Sequence, residues 1–74
     1  MPGWIYRGEQ VSQVKMRNIS GDGAGFVCEA ALRKSERLHL KTGLGPTRRP
    51  RLAEVMFVRD RSDGRFDVGV RFIR

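Results

Sequence analysis

The residues best suited to bind a ligand stand in one glycine-rich segment in the first third of the chain. Asn18 and Ser20 offer side-chain donors and acceptors, and Gly23 lets a ligand approach the backbone closely. Successive backbone N–H groups in such a turn also form concavities that bind anions. The same residues have a purely structural interpretation, because Asn and Ser often bond their own backbone in tight turns. The segment therefore predicts either a ligand-binding turn or a structural one.

Arginine dominates the charge of the chain. Fifteen basic residues against eight acidic ones give a formal net charge of +7, and twelve of the fifteen are arginine. The planar guanidinium matches phosphate oxygens, so this composition favours an anionic, phosphorylated partner. Three of the arginines, Arg48, Arg49 and Arg51, cluster in a proline-containing connection predicted to be exposed and extended.

Such a cluster also suits nucleic acid, which is the alternative function. Binding of single strands usually needs exposed aromatic rings on which bases stack. Phe57, Phe66 and Phe72 stand at positions predicted to be in the core, which leaves only Trp4 and Tyr6. Those two share one face of a predicted first strand, where they are expected to seal the β-barrel that the strand pattern described below predicts. The aromatic pattern therefore disfavours nucleic acid.

Nothing in the sequence predicts an enzyme or a metal site. Cys28 is the single cysteine, so it forms no internal disulfide, and it has no Cys or His nearby at zinc-ligand spacing. Its place in a short apolar stretch predicts a buried residue. His39 alternates with Leu38 and Leu40, so it is expected to face solvent, with no nucleophile or carboxylate placed beside it by any pattern.

The elements that position these residues are predicted to be β-strands, because the apolar residues recur mainly with period two. A hairpin turn at Asp63-Gly64 joins the two strongest strands. Residues 30–37 are predicted to form a loop or a single helical turn. Five or six short strands without crossover helices imply an antiparallel barrel or sandwich. The predicted strands cover about residues 11–19, 25–29, 38–41, 52–59 and 66–73.

The size and polarity of the chain predict a single domain over residues 1–74. Its mean hydropathy of −0.46 is that of a soluble globular chain. No apolar run approaches the roughly 20 residues needed to span a bilayer. The N-terminal residues lack the basic and apolar segments of a secretion signal, so we expect a cytoplasmic location.

Two segments resemble the signatures of PilZ domains. Residues 18–26 are similar to the D/N-x-S-x-x-G motif of that family, with Asn18, Ser20 and Gly23 at the defining positions. Further along, Val68-Gly69-Val70-Arg71-Phe72 resembles the closing strand, written V-G-V-x-F. The resemblance spans about residues 10–73 in the expected order. It implies an all-β fold, a small antiparallel β-barrel of about six strands, and a non-enzymatic role in cyclic di-GMP signalling.

In that family the motif matched by Asn18, Ser20 and Gly23 contacts cyclic di-GMP. Members that bind this nucleotide also carry an R-x-x-x-R motif ahead of the first barrel strand, and no such motif precedes the predicted first strand here. Arg7 and Arg17, or a second subunit, are the candidates to supply phosphate contacts.

The resemblance therefore implies one of two roles. The chain binds cyclic di-GMP, with no other cofactor expected, or it is a degenerate variant that binds a protein partner in motility or exopolysaccharide control. A homodimer formed through exposed barrel edges is a further hypothesis.

Overall fold

The computed structural model of the chain describes residues 1–43 and 49–73, and these form a closed barrel of six antiparallel strands. The strand order around the barrel is β1-β2-β3-β6-β5-β4. The predicted fold class is confirmed. Arg48, with the rest of residues 44–48 in the predicted linker, lies outside the described residues. The strands are β1 (Pro2–Arg7), β2 (Gln10–Ile19), β3 (Gly23–Cys28), β4 (Arg37–Thr42), β5 (Arg51–Asp60) and β6 (Phe66–Phe72).

The core fills the barrel interior with the apolar half of each alternating strand. Every strand places successive side chains on opposite faces, so one set points inward and the other toward solvent. Cys28 is among the inward residues, 3% exposed, which confirms the prediction that it is buried. The most deeply buried large side chains are Ile5, Phe26, Leu38, Leu40, Val55 and Val68.

Two β-bulges interrupt the alternation and matter for function. The register of β2 against β3 shifts between Met16 and Asn18, and that of β5 against β6 shifts between Val55 and Phe57. A bulge inserts one extra residue, so two consecutive side chains leave the core face. Phe57 is consequently 47% exposed. The prediction that it belongs to the core is wrong, because strict alternation fails at the bulge.

The remaining aromatic residues divide between the two faces. Phe72 is buried and Phe66 packs against the core, as predicted. Trp4 and Tyr6 alternate along β1 with buried residues, so they lie half-buried on the outer face and do not fill the interior. Sealing of the barrel by these two residues is therefore not observed.

Pairing of β1 with β4 closes the barrel, so the described strands leave no unpaired edge. The homodimer hypothesis rested on such an edge and loses that structural basis. Residues 29–36 form a loop with a turn and no helix, within the prediction of a loop or a single helical turn. Across residues 1–43 and 49–73 there is no helix long and apolar enough to cross a membrane.

Candidate functional site

Four cross-strand partners form one row on the outer surface of the barrel. Asn18 of β2 pairs with Gly25 of β3, Gly25 pairs with Gly69 of β6, and Gly69 pairs with Phe57 of β5. The two central residues have no side chains, whereas the two outer ones do. The row therefore forms a depression, the glycine groove, with Asn18 and Phe57 as its sides, Gly25 on its floor and Gly69 beneath the Phe57 ring.

Both glycines are in close contact with the side chains beside them. A Cβ built on Gly69 would overlap the ring of Phe57, and one built on Gly25 would lie 3.0 Å from Oδ1 of Asn18. Glycine inside a strand commonly marks such a close approach. The Asn18 amide thus packs on Gly25 and the Phe57 ring packs on Gly69, and any side chain at either glycine would displace its neighbour.

Two arginines complete the walls of the glycine groove, whose cavity volume is about 200 Å³. Arg17 is the bulge residue before Asn18, and Arg59 carries its guanidinium carbon 5.8 Å from the centre of the Phe57 ring. Among the described residues, no carboxylate pairs with Arg17 or Arg59. The acid at the edge, Asp67, is instead 3.2 Å from Arg61. The groove thus combines an exposed ring with two cations, which suits a flat, anionic ligand.

The turn that follows Asn18 is held by its own hydrogen bonds. The N–H of Ser20 donates to the carbonyl of Gly23 at 2.9 Å, and Oγ of Ser20 accepts from the N–H groups of Asp22 and Gly23 at 3.3 Å each. A Cβ at Gly23 would overlap the carbonyl of Val70. Ser20 and Gly23 therefore shape the turn, while Asn18 is the motif residue that lines the groove.

Arg51 connects this turn to the end of the barrel. Its guanidinium carbon lies 3.8 Å from the centre of the Phe72 ring, and Nη2 donates to the carbonyl of Gly21 at 3.3 Å. The N–H of Phe72 in turn donates to the carbonyl of Asp22 at 2.8 Å. The predicted arginine cluster thus contributes one residue that supports the motif turn, and Arg49 is exposed.

Arg7 lies at the opposite end of the barrel from Asn18. It pairs with Gln10, eight residues before Asn18 on β2; with the bulge allowed for, this is a separation of about 23 Å at the usual rise per residue. Its Nε is 2.7 Å from Oε2 of Glu36. Of the predicted site residues, the structure brings Arg17, Asn18, Ser20 and Gly23 together and leaves Arg7 apart.

The Arg7 contact also affects ionisation at that end of the barrel. Partial burial acts to raise the pKa of Glu36. The hydrogen bonds that its carboxylate accepts from the Arg7 side chain and the Arg33 N–H, together with the positive charges of these two arginines, lower the pKa by more. The pKa of Glu36 therefore lies below its ordinary value. Burial raises the pKa of the Cys28 thiol, against the opposing effects of its bond to the Ala30 carbonyl and of the Arg7 charge.

Sequence reasoning missed the half of the groove that β5 and β6 supply. Phe57 was assigned to the core, and Arg59 was not considered. Gly25 and Gly69 both interrupt apolar strands in the sequence. Glycine inside a strand often marks a close approach of another group, and this was the available signal for the groove. The residues that the structure describes contain no group of three or more His, Cys, Asp or Glu placed to hold a metal ion.

Comparison with known proteins gives one match. A family model described as the PilZ domain matches residues 2–74, essentially the whole chain. No significant match is found among the curated proteins or among the solved structures.

Proposed function

This chain belongs to the PilZ domain family, and we propose that it binds cyclic di-GMP in the glycine groove. PilZ domains are non-catalytic binding domains, and membership relates the chain to cyclic di-GMP signalling. The observation that carries the finer proposal is the row Asn18, Gly25, Gly69, Phe57, flanked by two arginines that have no carboxylate partner among the described residues.

Each part of the ligand has a matching group in the groove. A guanine base stacks on the exposed face of the Phe57 ring, whose other side packs on Gly69. The side-chain amide of Asn18 bonds the polar edge of the base, since it offers both donors and an acceptor. Arg17 and Arg59 contact the phosphates.

The expected affinity follows from these contacts. Two charge-assisted contacts of about 1.5–3 kcal/mol each and one stacked base of about 1–3 kcal/mol give about 4–9 kcal/mol. A micromolar dissociation constant requires about 8 kcal/mol, and association costs reduce the sum further. We therefore expect a dissociation constant from micromolar to millimolar.

Calorimetric titration with cyclic di-GMP tests the proposal. Phe57→Ala is expected to weaken binding by about tenfold, as for loss of one stacked base. Asn18→Ala is expected to weaken it less, because a neutral hydrogen bond contributes about 1 kcal/mol. The matched control is Val11→Ala, which also removes an exposed apolar side chain but lies on β2 away from the groove.

The outcomes separate three cases. Binding weakened about tenfold in Phe57→Ala and kept in Val11→Ala supports the proposal. Binding unchanged in both variants would locate the ligand elsewhere on the chain. Absence of binding up to millimolar ligand would contradict the proposal and would favour the role of a degenerate domain that acts through a protein partner in motility or exopolysaccharide control.

A further inference from the structure

A second depression adjoins the glycine groove on the outer surface of the barrel. Its cavity volume is about 420 Å³, and its lining includes Gln13 and Lys15 of β2 and Val27 of β3. Arg65, in the β5–β6 hairpin, closes one side with its Nε 4.0 Å from Oε1 of Glu29. It shares no lining residue with the glycine groove, so it is a separate feature.

The two depressions form one continuous track along β2 and β3. Lys15 pairs with Val27, the next row, Met16 with Phe26, faces the core, and the next row on the outer face is the pair Asn18 and Gly25. From Gln13 to Asn18 the track runs about 13 Å at the usual rise per residue, because the bulge residue adds no length against β3. Stacked nucleotides of one strand are spaced about 3.4 Å apart, so the track has the length of about four nucleotides.

Positive charge lines the track at both ends. Arg17 and Arg59 flank the glycine groove, and Lys15 and Arg65 flank the second depression. Two carboxylates also line the track, but each has an arginine partner: Asp67 lies 3.2 Å from Arg61, and Glu29 lies 4.0 Å from Arg65. Among the described residues Lys15, like Arg17 and Arg59, has no acidic partner. Phosphates along a bound strand would therefore meet cations spaced along the whole track, within a chain whose net charge is +7.

The positions of the aromatic residues in the structure no longer disfavour nucleic acid as a ligand. The prediction against nucleic acid required Phe57 in the core, whereas its ring is 47% exposed and lies at one end of the track. Binders of single strands combine a basic groove with aromatic rings on which unpaired bases stack. We infer that the track binds short single-stranded RNA or DNA, with a base on Phe57 and phosphates at Arg17, Arg59 and Lys15.

Fluorescence anisotropy with a labelled strand of about eight nucleotides tests this inference, in RNA and DNA versions, at low salt of about 50 mM. Phe57→Ala is expected to weaken binding about fivefold or more, and Lys15→Gln about two- to fivefold. Lys34→Gln is the matched control. It removes the same charge from an exposed residue in the loop before β4, and is expected to change binding less than about twofold.

Three results would overturn the inference. One is absence of binding to both strands at low salt. Another is equal weakening by Lys15→Gln and Lys34→Gln with Phe57→Ala unchanged, which indicates unspecific attraction to net charge. The third is equally tight binding of a duplex of the same sequence, because paired bases do not stack on a protein ring.

Different experimental results contradict this inference, which shares the glycine groove with the proposed function, and the proposed function itself. The contacts proposed for cyclic di-GMP do not include Lys15, so Lys15→Gln is expected to leave its calorimetric titration unchanged while it weakens binding of the oligonucleotide. Binding of the oligonucleotide without cyclic di-GMP binding supports the track and contradicts the proposed function. The reverse result contradicts the track alone.

Discussion

The ring of Phe57 lies against the bare backbone of Gly69, its cross-strand partner on the outer face of the barrel. The β5 bulge turns the ring outward, and the absence of a side chain at Gly69 leaves the space that the ring occupies. Gly69 is itself buried, because the ring covers it. One wall of the glycine groove therefore depends on a glycine in the neighbouring strand.

Gly69→Ala is expected to lower the free energy of unfolding by about 1–3 kcal/mol, because the new Cβ overlaps the Phe57 ring. Urea denaturation measures the change. Gly21→Ala is the control, since a Cβ there meets nothing within 4 Å. Adding Phe57→Ala to Gly69→Ala is expected to restore much of the loss, and strictly additive effects would contradict the contact.

Ser20→Ala is expected to lower the free energy of unfolding by about 0.5–1.5 kcal/mol, because Asp22 and Gly23 lose the acceptor for their N–H groups. Faster hydrogen exchange at the Gly23 amide is the specific readout. Ser12→Ala is the control in a regular part of β2. Unchanged stability together with lost cyclic di-GMP binding would instead make Ser20 a direct ligand contact.

Arg51→Met is expected to lower the melting temperature by about 4–8 °C, the shift that corresponds to about 1 kcal/mol in a domain of this size. The variant keeps an apolar stem but loses the bond to the Gly21 carbonyl and the cation over the Phe72 ring. Arg49→Met removes an exposed arginine two residues earlier and is expected to change little. Equal melting temperatures for the two variants would contradict a supporting role for Arg51.

Glu36 is expected to make stability depend on pH. Its pKa is lowered in the folded protein by Arg7 and Arg33, so the unfolded chain binds the proton more readily. The stabilisation is therefore present above the ordinary value of 4.5 and is lost as the pH falls below it. Between pH 7 and 3, the free energy of unfolding from denaturation curves is expected to change less with pH for Glu36→Gln than for the unsubstituted protein. Near neutral pH the substitution is expected to lower that free energy by about 1 kcal/mol.

The control for that series is Glu9→Gln, at an exposed residue in the turn between β1 and β2. It is expected to follow the unsubstituted protein across the range. If Glu36→Gln retains the full pH dependence, the Arg7 contact contributes no net stability.

Cys28 is expected to react slowly with a thiol reagent at pH 8 while the protein is folded. The thiol is 3% exposed and its pKa is raised by burial, so little thiolate is available. Absorbance on addition of Ellman's reagent measures the rate, with the urea-unfolded chain as the control. Equal rates in the folded and unfolded protein would contradict the burial of Cys28.

The sequence by itself determined the local structure. Alternation such as Leu38, His39, Leu40 specifies a strand with one buried face, and Asp63-Gly64 specifies a turn that needs positive φ, which Gly64 adopts at 82°. Asn18 was likewise identifiable as a ligand candidate, because its chemistry and its place in a family motif are both local.

Only the tertiary structure decided the composition of the candidate site. Phe57 faces outward because β5 bulges against β6, and a bulge is a property of two paired strands rather than of either sequence alone. Gly25 and Gly69 are 44 residues apart and become neighbours only when β3 pairs with β6. Arg7, by contrast, is close to Asn18 in sequence but far from it in space, because an extended strand separates them. Strand pairing is cooperative and long-range, so which residues share a surface is fixed only once the barrel closes.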